Sequence, residues 1–193
     1  MNNNQRLEKK ENRRVKMTKL LLNQGFLQAL SQKPLSRITV KEICEYADVN
    51  RSTYYVYYND PYDQLKKLEE NFILSQSEYI EELILTANEN TGFANAMENL
   101  LLYYKNNKSM LRILFGEYGN MHLEYDILSY FGKYVLSHSN KESEEESETL
   151  QYYTYAASGC FGLIIYWLQN DCEEPVEKLS KRITDLTTPI RQQ

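Results

Sequence analysis

The sequence predicts an all-α protein of about nine helices. Three observations carry that expectation. Glycine and proline are scarce, 7 and 4 in 193 residues, too few for the turns of a sandwich or barrel. Apolar positions recur three and four apart along almost the whole chain. No segment shows the apolar–polar alternation of a half-buried strand. Two parts are expected, a basic tail with a short-helix unit over 1–60 and a helical body over 61–193.

The elements follow in order. From Arg13 to Gln32, Leu22, Phe26, Leu27 and Leu30 share one helical face, and Pro34 ends the helix. Thr39 with Glu42 three residues later has the form of a capping box. Val40, Ile43, Cys44 and Ala47 form the buried stripe that follows it. Asp48-Val49-Asn50 breaks the chain, and Arg51–Tyr58 is a helix of about two turns. Asn59-Asp60-Pro61 reads as an N-cap with proline at the first helical position. That helix is expected to reach Ala87. Thr91–Tyr104, Ser109–Phe115 and Leu123–Leu136 are further helices, and the polar, acidic run 137–147 is expected to be a mobile loop. Glu148–Gln169 follows. Tyr152, Tyr155, Ala156, Gly159, Leu163, Tyr166 and Trp167 mark one of its faces, and Tyr153, Ala157, Cys160 and Ile164 another. A helix apolar on several sides is covered from several directions. Pro175 opens the last helix, with Val176, Leu179, Ile183 and Leu186 on one stripe.

Composition narrows the class. Apolar residues are 42% and charged residues 25%, ordinary for a globular protein. Cys44, Cys160 and Cys172 are few and far apart, which fits reduced thiols in the cytoplasm. The polar N-terminus shows no secretory signal. Leu150–Leu168 is uncharged, but its tyrosines, Gln151, Thr154 and Ser158 predict a buried helix rather than a membrane span. Net charge is −5 but divided. Residues 1–75 carry 13 basic and 9 acidic side chains, and residues 76–193 carry 9 and 18. The first 20 residues alone carry 7 basic and 2 acidic side chains. A basic end on an acidic body points to an anionic partner at that end.

Two short helices joined by a tight turn, after a longer helix and beside a basic tail, make a helix-turn-helix candidate. In that geometry the second helix enters the major groove and the first crosses the backbone. Arg51 can pair with guanine or phosphate, and Ser52 and Thr53 can reach base edges or phosphates. An amphipathic corner with no nucleic-acid role has the same spacing. The stretch Ile38–Cys44, Ala47–Tyr55, Tyr58-Asn59-Asp60, Tyr62-Asp63 and Leu65 resembles the DNA-binding domain of the tetracycline-repressor (TetR) family. More loosely, Tyr104–Lys108, Leu111, Leu114, Ser158–Gly162, Trp167-Leu168 and Glu174-Pro175 resemble the C-terminal domain of a branch that includes the dihydroxyacetone-kinase operon regulator.

The resemblance implies a three-helix DNA-binding head, a fourth helix linking it to a regulatory and dimerisation body, and a homodimer reading a pseudo-palindromic operator on double-stranded DNA. Carried onto matching positions, it places Thr39, Asn50, Arg51, Ser52, Thr53, Tyr55 and Tyr57 at the DNA; Arg13 and Arg14, at the start of the first helix, are the cations of the basic end expected to add DNA contacts. Val49, Tyr54 and Tyr58 are expected in the core. It further implies that the last helices pair across the dimer, through Ser158, Gly162, Ile164, Leu179 and Ile183. Three positions depart from the family pattern. Pro61 stands where a lysine is usual, Val56 and Tyr57 where basic residues or histidine are common, and Gln64 where leucine is usual. The recognition helix therefore carries one cation, and its salt dependence is expected to be shallow unless the tail contributes.

A family body often binds an effector, which requires two states and a ligand preferring one. The aromatic candidates for such a pocket are Tyr103, Tyr104, Phe115, Tyr118, Tyr125, Phe131, Tyr134, Tyr155, Tyr166 and Trp167. The effector is a small molecule or a protein. No cofactor is expected. No phosphate loop, dinucleotide fingerprint, zinc-protease helix or nucleophile elbow is present. His122 and His138 stand apart, and the cysteines lack metal-ligand spacing. An enzyme is not expected. The reading is a ligand-responsive transcriptional regulator, in first place a repressor. Its alternative is a helix-turn-helix-derived interaction adaptor or coactivator with weak autonomous DNA binding.

Overall fold

A computed structural model describes residues 3–138 and 143–191. Among these, ten α-helices and one 3-10 turn are present and no strand. The helices are α1 (Asn3–Leu30), α2 (Val40–Ala47), α3 (Arg51–Tyr57), α4 (Pro61–Ser75), α5 (Ser77–Leu85), α6 (Asn90–Asn106), α7 (Lys108–Leu114), α8 (Leu123–His138), α9 (Ser143–Gln169) and α10 (Val176–Arg191), with the turn at Leu35–Arg37. The chain divides into two compact units, one up to Glu70 with Gly116–Gly119, the other Asn71–Phe115 with the chain from Asn120 on. The division falls within α4.

In the first unit, Leu22, Phe26, Ala29 and Leu30 of α1 are buried with Ile43, Cys44 and Ala47 of α2. Gly25 sets how closely these helices meet. A Cβ there would lie 2.6 Å from the Ile43 carbonyl oxygen and 3.0 Å from the Ala47 nitrogen, so only glycine admits this approach. Thr39 caps α2 as its sequence predicts, its hydroxyl accepting from the Glu42 amide at 3.3 Å. The Glu42 carboxylate pairs with Lys33 at 2.7 Å. Gln64, the departure from leucine, is fully buried. Its amide donates to the Leu22 carbonyl at 3.0 Å and to Asn23 Oδ1 at 3.2 Å, tying α4 to α1.

In the second unit α6 is the central helix, burying Phe93, Ala96, Met97, Leu100, Leu101 and Tyr104. α5, α7, α9 and α10 all pack on it. Ser180 of α10 donates to the Ala94 carbonyl at 2.7 Å, and Thr184 and Thr187 return their hydroxyls to carbonyls of their own helix. Such back-bonding lets small polar residues sit in a core. The turn from α9 to α10 holds Asp171 and Cys172 at φ 57° and 58°. Asp171 is pinned to α7 by Lys108 at 3.0 Å and Arg112 at 3.1 Å.

Three boundaries differ from expectation. The helix expected over 61–87 is two helices separated at Gln76, which is fully buried and accepts from the Tyr104 hydroxyl at 2.5 Å, while the flanking Ser75 and Ser77 hydroxyls donate to the Phe72 and Leu74 carbonyls at 2.8 Å. The acidic stretch expected as a loop is partly helical, with α8 reaching His138 and α9 starting at Ser143; residues 139–142 lie outside the described residues. α1 begins at Asn3, well before Arg13. Among the described residues no helix is long and apolar enough to cross a membrane.

Candidate functional site

The α2–α3 corner is built by local chemistry. α2 ends where Asp48 takes a left-handed conformation, φ 50° and ψ 46°, which Asp tolerates better than most side chains. Asn50 is extended and starts α3 through its carbonyl, which accepts from the Tyr54 amide at 3.1 Å. Its side chain makes no cap bond and is exposed.

α3 has two faces. Tyr54 and Tyr58, four apart, are buried with ring centroids 5.5 Å apart. The Tyr58 hydroxyl donates to Asn23 Oδ1 at 3.0 Å. The outer face carries Arg51, Ser52, Tyr55 and Val56, with Tyr55 58% and Val56 72% exposed. Thr53 and Tyr57 lie at the margin, half-buried, and Lys19 of α1 sits 5.5 Å from the Tyr57 ring centroid. Lys67 closes the end of α3, donating to the Tyr57 carbonyl at 3.0 Å and to Asp63 at 2.9 Å. The start of α4 is doubly capped. Asp60 accepts from the Asp63 amide at 2.8 Å, and Asp63 accepts from the Asn59 amide at 2.9 Å. That bond, with the one from Lys67, holds the Asp63 carboxyl below the ordinary range.

Among the residues expected at DNA, Arg13, Arg14, Thr39, Asn50, Arg51, Ser52 and Tyr55 are exposed, and Thr53 and Tyr57 are half-buried. Tyr54 and Tyr58 are buried as expected for core, whereas Val49 is only half-buried.

The second unit contains a cavity of about 670 Å3, within the size range of small-molecule sites. Of the ten aromatic candidates, Tyr104 and Phe131 line it. The other eight do not. Tyr103 stacks on Phe72 and Tyr79, and Phe115 meets Phe72 and Phe161 edge-on. Tyr118 belongs to the first unit. Tyr125, Tyr155 and Tyr166 are exposed. Tyr134 is half-buried beside Glu81. Trp167 is buried and donates to the Glu174 carbonyl at 2.8 Å. The α9 wall is instead Glu148, Tyr152, Tyr153, Ala156, Ala157, Cys160, Phe161 and Ile164. This contains the second apolar stripe of that helix, which was the signal available in the sequence.

Of the residues expected at a dimer seam, Ile164, Leu179 and Ile183 are already buried within one chain. Their apolar periodicity reports the protomer's own core. Ser158 is half-buried and Gly162 exposed. Added Cβ atoms at Gly159 and Gly162 would meet nothing within 4 Å. These glycines interrupt an outward stripe from Tyr155 (74% exposed) to Tyr166 (68% exposed). Beside it lies a groove lined by residues of α9 and α10, among them Leu150, Leu163 and Leu186.

Burial raises the pKa of the Cys44 and Cys172 thiols. Among the described residues no group of three or more His, Cys, Asp or Glu is placed to hold a metal ion.

A TetR-type family model, described as transcriptional regulator C-terminal region, matches residues 91–189. The uncharacterized HTH-type transcriptional regulator YxbF of Bacillus subtilis (strain 168) is 25% identical over 178 residues, 90% of this chain and 45% of the relative. The chain thus spans less than half the length of that curated relative. Two solved structures share the fold. The dihydroxyacetone kinase operon activator DhaS superposes with a TM-score of 0.55 at 18% identity, covering 89% of this chain and 94% of its own. The fatty acid degradation regulator FadR from Bacillus halodurans superposes with a TM-score of 0.60 at 16% identity, covering 88% and 94%.

Proposed function

The chain belongs to the TetR-type transcriptional regulators, and from that premise we propose that it acts in the cytoplasm as a ligand-responsive repressor, binding a pseudo-palindromic operator as a homodimer. The observation that carries this is the outward face of α3, where Arg51, Ser52 and Tyr55 stand exposed while Tyr54 and Tyr58 anchor the helix. In this reading residues 1–60 are the DNA reader and 61–193 the regulatory and dimerisation body. Arg51 pairs with guanine or phosphate, and Val56 and Tyr55 offer apolar contact to thymine methyl groups. Thr39, Asn50, Ser52, Thr53 and Tyr57 position the corner on phosphates or base edges, and Arg13 and Arg14 add charge. The cavity of the body holds the effector. The Tyr155–Tyr166 stripe with Ser158, Gly159 and Gly162 meets its copy in the dimer. No catalytic step enters this reading.

Fluorescence anisotropy against DNA flanking the protein's own gene tests it, at about 50 and 200 mM salt with a scrambled duplex as control. Binding well above the scramble, lost with Arg51→Ala or Thr53→Ala, is the expected result. Binding equal to the scramble at both salts sinks operator reading at that locus. A second reading, an interaction adaptor, draws on the exposure of Tyr55 and Val56 beside a single α3 cation. It predicts that Val56→Glu abolishes capture of a protein partner while DNA affinity stays at the scramble level.

A further inference from the structure

The cavity of the second unit is lined mainly by apolar and aromatic side chains, including Phe93, Phe131 and Phe161. Among its described lining residues Glu148 carries the only charge, and no Lys, Arg or His is present. Its hydroxyl protons are already committed. Tyr104 donates to Gln76, Tyr153 to the Leu128 carbonyl at 3.2 Å, and Thr187 to the Ile183 carbonyl at 2.8 Å. Tyr152 donates to Glu148 Oε1 at 2.9 Å, engaging one carboxylate oxygen and leaving the other for a ligand. Among the described lining residues the Asn88 amide is thus the one side-chain N–H donor, and none carries a counter-charge for an anion. An anionic headgroup would be buried unpaired and repelled by Glu148.

Asn88 follows the end of α5, and Glu148 and Tyr152 lie near the start of α9. Glu148 is exposed, so its carboxylate marks the hydrated mouth. Leu100, Leu128 and Phe161 lie farther along their helices, toward the other end. The faces of aromatic rings favour a cation, a quaternary ammonium above all.

Resting on the reading of this cavity as the regulatory site, we propose that its ligand is a lipophilic organic cation, an alkyl or aryl ammonium whose charged group sits beside Glu148 and whose body fills the apolar interior. At roughly 30 Å3 per non-hydrogen atom, the share of one water in the liquid, the cavity takes roughly 20 such atoms.

Isothermal titration of the full chain with decyltrimethylammonium, decanol and decanoate, each below its micelle concentration, tests this. The cation is expected to bind at least tenfold tighter than decanol, and decanoate more weakly than decanol. Glu148 is exposed, so Glu148→Gln leaves the fold standing. It should bring the cation to within threefold of decanol, whose own affinity moves less than threefold. Equal affinities for the three probes, decanoate binding tightest, or a cation preference that survives Glu148→Gln would overturn selection for cations and leave the cavity reading in place. No saturable binding of any probe by a chain that still binds operator would overturn both.

Discussion

Gly25 and Asp63 each hold the first unit together, one through close helix approach and the other through its carboxylate's hydrogen bonds. At Gly25 the obstacle to a side chain is the backbone of α2, which cannot move aside as a flexible side chain can. Gly25→Ala is expected to cost about 1–3 kcal/mol by overpacking. In thermal unfolding followed by circular dichroism, Tm should fall by roughly 5 °C. The helix-propensity gain of alanine, about 1 kcal/mol, is smaller and acts the other way. An unchanged or raised Tm would mean that α1 and α2 slide apart at no cost. Asp63 works through charge. Its folded pKa lies below the ordinary carboxylate value because it accepts from the Asn59 amide and from Lys67. The stability this contributes is fully present above the unfolded value of about 3.9 and is lost as pH falls through the folded value. Urea midpoints measured from pH 7 downward should therefore drop less steeply at the acid end for Asp63→Asn than for the parent. Parallel curves would remove Asp63 from the acid response.

At the level of helices, the break between α4 and α5 combines a tertiary hydrogen bond with local back-bonding by the serines that flank it. Residues 61–87 contain no proline after Pro61 and no glycine, so periodicity reads them as one helix. At the break the Ser75 and Ser77 hydroxyls donate to the Phe72 and Leu74 carbonyls at 2.8 Å, and the Tyr104 hydroxyl of α6 gives the buried Gln76 side-chain oxygen a partner. Tyr104→Phe leaves that oxygen buried and unpaired, at about 1–3 kcal/mol. Gln76→Leu in the same chain removes the orphan. The double variant should therefore recover part of the loss in urea unfolding, and a strictly additive double variant would show that the pair is not coupled.

On the scale of the whole molecule, the open stripe on α9 and the charge asymmetry are the features that test the proposed assembly and DNA affinity. Because Gly159 and Gly162 face open space, Gly162→Glu leaves each protomer's packing untouched. Sedimentation should show a dimer for the parent and a monomer for the variant, with operator affinity down at least tenfold. A variant that stays dimeric would move the interface elsewhere. The α3 surface has one cation, Arg51, while Lys67 and Lys33 are engaged within the protomer. Each phosphate neutralised adds roughly 0.9 to the salt slope. Arg13→Ala with Arg14→Ala should lower the slope by roughly 2 per protomer, and an equal slope would take α1 out of the interface.

The helical class, the Thr39 cap, the Asp48–Asn50 turn and the inward Tyr54 and Tyr58 were legible in the sequence. Each depends on residues within a few positions of one another, where capping, turn chemistry and the 3.6-residue period act. Which apolar face of α9 meets the cavity, the burial of Ile164, Leu179 and Ile183 within one chain, and the burial of Gln76 against Tyr104 were decided by tertiary structure. Periodicity says that a face is covered but not what covers it, because the covering helix lies far away in sequence. The same limit explains why ten tyrosine, phenylalanine and tryptophan candidates yielded only Tyr104 and Phe131 at the cavity wall, while Glu148, read from the sequence as the first residue of its helix, stands at its mouth.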